Sequence, residues 1–159
     1  MKNIFSALVI LIAVLLSACG AINGRAEARQ AEQTLVNFFQ ALADGDYLAA
    51  AELYGGDYEV LRSMNPTISA GDDEALWRAG CELNGLQCLP VLRVLEKRKL
   101  STNEFFFTLE FKDAQGKAFV LGPCCGANAE EMPPISSFEY RVSLKGGRFS
   151  VLDLPVFVP

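Results

Sequence analysis

Five cysteines carry most of the chemistry open to this chain: Cys19, Cys81, Cys88, Cys124 and Cys125. A thiolate is at once a nucleophile, a soft metal ligand and half of a disulfide, so spacing and surroundings decide its role. No histidine occurs in the 159 residues. That excludes Ser-His-Asp and Cys-His catalysis in their usual forms and removes the commonest zinc and copper ligand. Two acidic pairs, Asp72-Asp73 and Glu130-Glu131, have the residue types of catalytic carboxylates or calcium ligands. Adjacent side chains rarely face one point, and simpler roles suffice. The first pair suits a helix N-terminus, through capping and the macrodipole, and the second suits a solvated loop. No metal or cofactor is expected.

The elements that position these residues start with an apolar run. Lys2 and the amino terminus form a short positive region, and Ile4–Leu16 is apolar over the length of a secretory signal. The run from Ile4 to Ala18 falls short of the roughly 20 residues of a membrane-spanning helix. It ends in Leu16-Ser17-Ala18-Cys19, which resembles the lipobox of bacterial lipoproteins. The resemblance implies a diacylglyceryl group on the Cys19 sulfur, cleavage before it, and a lipidated Cys19 as first mature residue. Each buried methylene is worth about 0.8 kcal/mol, so two or three acyl chains hold a protein stably on a bilayer. The expected division is a signal peptide over residues 1–18, a tether over 19–27 and a single domain over 28–159. The expected location is the cell envelope, lipid-anchored and facing periplasm or exterior. Gly20 stands where some Gram-negative lipoproteins carry an inner-membrane retention Asp, which favours the outer membrane.

The full chain has a net charge of −5, and the loss of Lys2 leaves the mature chain more negative still. With a calculated pI near 4.8 it is a poor nucleic-acid ligand, since phosphate binding relies on clustered Lys and Arg. The longest basic cluster, Lys97-Arg98-Lys99, reads as a solvated strand end. If Cys19 carries lipid, Cys81, Cys88, Cys124 and Cys125 remain, and an even set in an exported chain reads first as disulfides. A soft-metal thiol site is the alternative. A redox pair lacks the Cys-x-x-Cys motif. Pairing of 81 and 88 with 124 and 125 is preferred narrowly over local pairing, although Asn84-Gly85 can turn the chain back between Cys81 and Cys88 and makes that local bond geometrically easy. A Cys124–Cys125 bond closes a strained ring, and crossed loops give about 4 kcal/mol against about 2.5 for the local loop in the chain-entropy model.

Ala31, Leu35, Phe38, Phe39 and Leu42 form one apolar stripe of a helix beginning near Arg25. Asp44-Gly45-Asp46 ends it and starts a second, short helix over Tyr47–Tyr54. Asp57–Leu61 reads as a short strand, and Ser63–Gly71 as loop. Asp72 or Asp73 then caps a third helix with Leu76, Trp77 and Leu83 inward. Strands are expected over Val91–Leu100, Asn103–Asp113, Lys117–Gly122, Ser137–Lys145 and Arg148–Leu154. Asn103–Asp113 alternates cleanly, placing Phe105, Phe107, Leu109 and Phe111 on one face. Helices followed by strands describe an α+β domain, with N-terminal helices packed on a curved antiparallel sheet of four or five strands.

The stretch Leu35–Tyr54, "LVNFFQALADGDYLAAAELY", resembles the opening of the nuclear-transport-factor-2-like superfamily. Its cone-shaped fold leads a long helix through a Gly-Asp turn into a short helix of small residues. A cystatin-like domain is the alternative fold. The resemblance implies a sheet-lined cavity, with Tyr54, Tyr58 and Trp77 as candidate lining residues. The superfamily contains enzymes and non-enzymes, so fold does not choose between them. The expected function is a non-catalytic, membrane-anchored domain binding a small apolar or amphipathic ligand, or a protein partner, in that cavity. The alternatives are an Asp/Tyr acid–base enzyme of dehydratase or isomerase type and a structural envelope protein. A closed, fully packed interior would favour a structural role, and a buried carboxylate within reach of a tyrosine would favour the enzyme.

Overall fold

In the computed structural model, which describes residues 24–158, the first helix, α1, occupies residues 24–44. Residues 24–27, expected to be tether, are already helical. Ala31, Leu35, Phe38, Phe39 and Leu42 are all buried, as the stripe requires. The helix closes in a Schellman motif: Asp46 N–H donates to the Ala41 carbonyl and Gly45 N–H to the Leu42 carbonyl, with Gly45 at φ 75°. Asp46 also caps α2 (Tyr47–Leu53), accepting from Ala49 N–H at 3.1 Å. One residue thus ends a helix and starts the next, which holds the two at a fixed angle.

After α2 the chain crosses the sheet end, where Tyr54 bridges Val151 in parallel. The expected strand at Asp57–Leu61 is instead the start of a helix, α3 (Glu59–Met64). Asp57 accepts from Glu59 N–H at 2.7 Å, and of this helix only Leu61 is buried. Val60 is exposed and Leu61 is buried, as a helix with a single inward residue places them. The next helix, α4 (Asp73–Glu82), has Asp72 as its cap and Leu76 and Trp77 fully buried. Leu83, expected on the same face, is 79% exposed. It is the C-cap, with φ −123°, so its side chain leaves the helical stripe. Gly80 permits the close approach of Leu86, whose Cδ1 lies 2.8 Å from where a Cβ would stand.

The sheet has the order β1-β2-β3-β4, antiparallel throughout, formed by Val91–Lys99, Glu104–Phe111, Phe138–Lys145 and Arg148–Val151. Phe105, Phe107, Leu109 and Phe111 of β2 and Phe138, Tyr140 and Val142 of β3 form its buried face. The domain is α+β, with helices packed against an open four-stranded antiparallel sheet. The anticipated strand at Lys117–Gly122 is absent; the segment makes only isolated bridges, Ala118 to Lys112 and Leu121 to Ile135. It changes partner within four residues, and Gly122-Pro123 ends any continuation. The last strand stops at Val151, and the chain leaves to pair Val156 and Val158 with Gln87 and Gly85.

The basic cluster is more than a solvated strand end. Lys97 and Lys99 of β1 reach Glu32 and Glu27 of α1, each at 2.8 Å, while Arg98 lies over the Phe106 ring on the opposite face. Register explains the division, since Lys97 and Lys99 stand beside inward-facing Phe107 and Phe105.

Candidate functional site

Tyr54, Tyr58 and Trp77 come from three different segments, and the fold does bring them together. Tyr54 follows α2, Tyr58 precedes α3, and Trp77 lies on the buried face of α4. The Tyr54 ring packs edge-on against Tyr58 and Trp77, each at 5.0 Å between centroids, and stacks on Phe38 at 6.0 Å. Trp77 is also edge-on to Phe38, at 5.3 Å. Their polar tips are satisfied: the Tyr54 hydroxyl donates to the Asp57 carbonyl at 3.0 Å, and Trp77 Nε1–H donates to the Tyr58 hydroxyl at 3.1 Å. Burial is the largest cause holding both tyrosines above their ordinary pKa, and both stay protonated at neutral pH. Tyr54 and Trp77 are therefore parts of a packed aromatic core rather than walls of an opening.

Around this cluster the core continues without a change of character. Phe39 is edge-on to Phe111 at 4.7 Å and to Tyr140 at 4.8 Å, so rings from α1 and the sheet interlock. Two tyrosine–carboxylate relationships bear on acid–base chemistry. The Tyr47 hydroxyl donates to Glu82 at 3.2 Å, but Glu82 is exposed on the outer side of the helices. Asp73 lies 3.6 Å from Arg62, whose guanidinium faces the Tyr58 ring, and the negative charge of Asp73 adds to the rise in the Tyr58 pKa. Asp73 Oδ1 is buried without a hydrogen bond, and no hydrogen bond joins it to Tyr58. Asp72 is occupied as the α4 cap. Glu131 accepts from the Asn128 backbone, as expected of a loop carboxylate.

An open pocket of about 370 Å³ lies between α2 and the start of α4, lined by Leu48, Ala51, Glu52, Gly71, Asp72, Asp73 and Glu74. It is made by helices and their caps, not by the sheet, and sequence periodicity gave no sign of it. Its Leu48 floor is exposed because α2 turns only Tyr47 and Ala50 into the core. Its rim is acidic.

The cysteines depart from the preferred pairing. Cys81 is bonded to Cys88, with Cα atoms 5.6 Å apart, so the crossed arrangement does not form. The reason is local: Asn84-Gly85 turns the chain back after α4, and Leu86 N–H bonds to the Gly80 carbonyl. Cys124 and Cys125 are free thiols in the loop before β3. Among the described residues no group of three or more His, Cys, Asp or Glu is placed to hold a metal ion. Cys19 lies outside the described residues, and among those described no helix is long and apolar enough to cross a membrane. No family model matches the chain, and no curated protein matches it.

Proposed function

We propose that this protein is an exported lipoprotein of the cell envelope, anchored through acyl chains on Cys19, whose domain is a non-catalytic binding module. Its fold is read as nuclear-transport-factor-2-like. The observation that carries the binding reading is the open, acidic-rimmed pocket of about 370 Å³ between α2 and α4. The interior, where Phe38, Tyr54 and Trp77 pack with their polar tips satisfied, is filled by side chains and supports a structural envelope role as the second reading. With the interior filled, any binding takes place at the surface, which fits a protein partner better than a small ligand held inside. The acidic-rimmed pocket beside Leu48 has a shape and charge suited to a basic side chain with an aliphatic stem. A lipid-anchored domain of net negative charge is held at the membrane, where such a partner would meet it.

Two experiments test this. The wild type expressed in a bacterial host is expected to incorporate labelled lipid and enter the detergent phase, and Cys19→Ala to do neither; equal labelling would refute the anchor. A photo-crosslinking residue at Leu48 is expected to give a discrete protein adduct that loses intensity in Glu52→Lys. A small molecule retained by the purified protein in native mass spectrometry, with no adduct at Leu48, would overturn the partner reading.

A further inference from the structure

Cys124 and Cys125 lie outside every helix and strand, in a tight turn of unusual geometry. Ala127 N–H donates to the Cys124 carbonyl at 3.0 Å, with Cys125 at φ 61° and Gly126 at φ 92°. Two positive φ values in the middle of a four-residue turn are the signature of type I′, normally filled by Asn, Asp or Gly. Cys125 is the only non-glycine residue with positive φ among those described. The left-handed region costs an ordinary L-residue about 1–2 kcal/mol. What this conformation achieves is juxtaposition: the two Sγ atoms lie 2.7 Å apart, although side chains of neighbouring residues normally diverge. Cys125 is exposed and Cys124 partly so. Residues 118–140 contain no Lys or Arg, so no cation of this segment claims either sulfur.

We propose that Cys124 and Cys125 form a vicinal dithiol redox site, which closes to a Cys124–Cys125 disulfide by exchange with a disulfide oxidant. The more exposed Cys125 is the attacking sulfur. Its thiolate bonds to one sulfur of the oxidant, giving a mixed disulfide and expelling the other half as thiolate, which takes up the proton Cys125 has lost. Cys124 then attacks the Cys125 sulfur, forms the vicinal bond and expels the second half, which receives the Cys124 proton. Two electrons and two protons pass to the oxidant, which leaves as two thiols. The hydrogen bond shared with Cys125, and then partial burial, raise the Cys124 pKa, which suits the second, resolving role. A bond between neighbours encloses almost no chain and so adds little stability. This sets it apart from Cys81–Cys88, which ties the end of α4 to the segment paired with the C-terminal residues. An exposed bond that staples nothing is the more easily reduced of the two.

Tryptic cleavage separates the pairs, because residues 79–93 hold Cys81 and Cys88 while residues 118–141 hold Cys124 and Cys125. The purified full chain is treated with oxidised glutathione or with an oxidised dithiol oxidoreductase, alkylated, and mapped without reduction. The expected result is a 118–141 peptide two hydrogens lighter, with no alkyl group, in at least one arm; the faster arm identifies the small-molecule or the protein oxidant. This peptide reopens at a glutathione ratio that leaves 79–93 closed. Cys124→Ser should trap a stable mixed disulfide on Cys125, whereas Cys125→Ser should react several-fold more slowly. Two alkylated cysteines in both arms, separate glutathione adducts on each, or chain-to-chain crosslinks would overturn the proposal. The purified-protein assay is independent of lipidation and partner binding.

Discussion

Phe38 and Phe39 make adjacent positions of one helix serve two regions of the core. Phe38 faces Tyr54 and Trp77 from the helical side, while Phe39 reaches Phe111 and Tyr140 of the sheet. Removing either ring leaves a cavity bordered by rings that cannot collapse into it. Phe38→Ala is expected to destabilise the domain by about 3–5 kcal/mol in chemical denaturation. Gln40→Ala, on the exposed face with only a side-chain bond to Asp44, should change it by less than about 0.5 kcal/mol. Equal midpoints would mean that the helix does not pack as described. The buried tyrosines make a separate, pH-dependent contribution. Burial raises the Tyr54 and Tyr140 pKa above the ordinary 10.0, so at high pH the folded state holds protons that the unfolded state has lost. Stability is therefore fully present below pH 10 and declines as pH rises above it. Tyr140→Phe, which removes one such group, is expected to move the alkaline unfolding midpoint upward; no movement would show that Tyr140 is not coupled to folding.

At the scale of elements, the Asp44-Gly45-Asp46 junction governs where α2 lies. Asp46 donates its backbone N–H to the end of α1 and accepts from Ala49 at the start of α2. Asp46→Ala keeps the backbone bond and loses the cap, with an expected cost of about 1 kcal/mol. Asp46→Asn, which keeps an accepting oxygen, should recover most of that loss, and failure to recover would assign the effect to charge instead. The Lys97 and Lys99 pairs to α1 are half exposed, so each contributes at most about 1 kcal/mol. Their larger role is alignment: Lys97 stands opposite Phe107 and Lys99 opposite Phe105 in the β1–β2 register, and both reach across to α1.

Across the whole molecule, the covalent staple and the C-terminal segment act together. Gly85 adopts φ 82° at the turn, and any Cβ there would strike the Val158 carbonyl oxygen that approaches it. Cys81–Cys88 encloses this turn, so the bond holds open the site onto which residues 156–158 fold. Replacing both cysteines by serine is expected to cost about 2.5 kcal/mol in the chain-entropy description. Hydrogen exchange should then rise first at Gln87 and Val158, whose backbone donors pair across the two segments. A uniform rise over the whole domain would contradict this local coupling.

The class of fold was legible because its causes are local. The α1 stripe and the β2 alternation of Phe105, Phe107, Leu109 and Phe111 are periodicities of single elements, and their buried faces follow directly from them. The caps at Asp46 and Asp72 were legible for the same reason. Short segments were not. Asp57–Leu61 and Lys117–Gly122 are too brief for period to outweigh tertiary partners, and they became a helix and a pair of isolated bridges. Disulfide connectivity was legible only as a choice: Asn84-Gly85 allows the Cys81–Cys88 bond that forms, but nothing local shows that Cys124 and Cys125 stay free, which depends on where their loop lies relative to α4. The grouping of Tyr54, Tyr58 and Trp77 was visible only as three aromatic residues. Whether they line a cavity or fill it depends on where Phe38 points and which atoms satisfy their tips, and tertiary packing alone decides that.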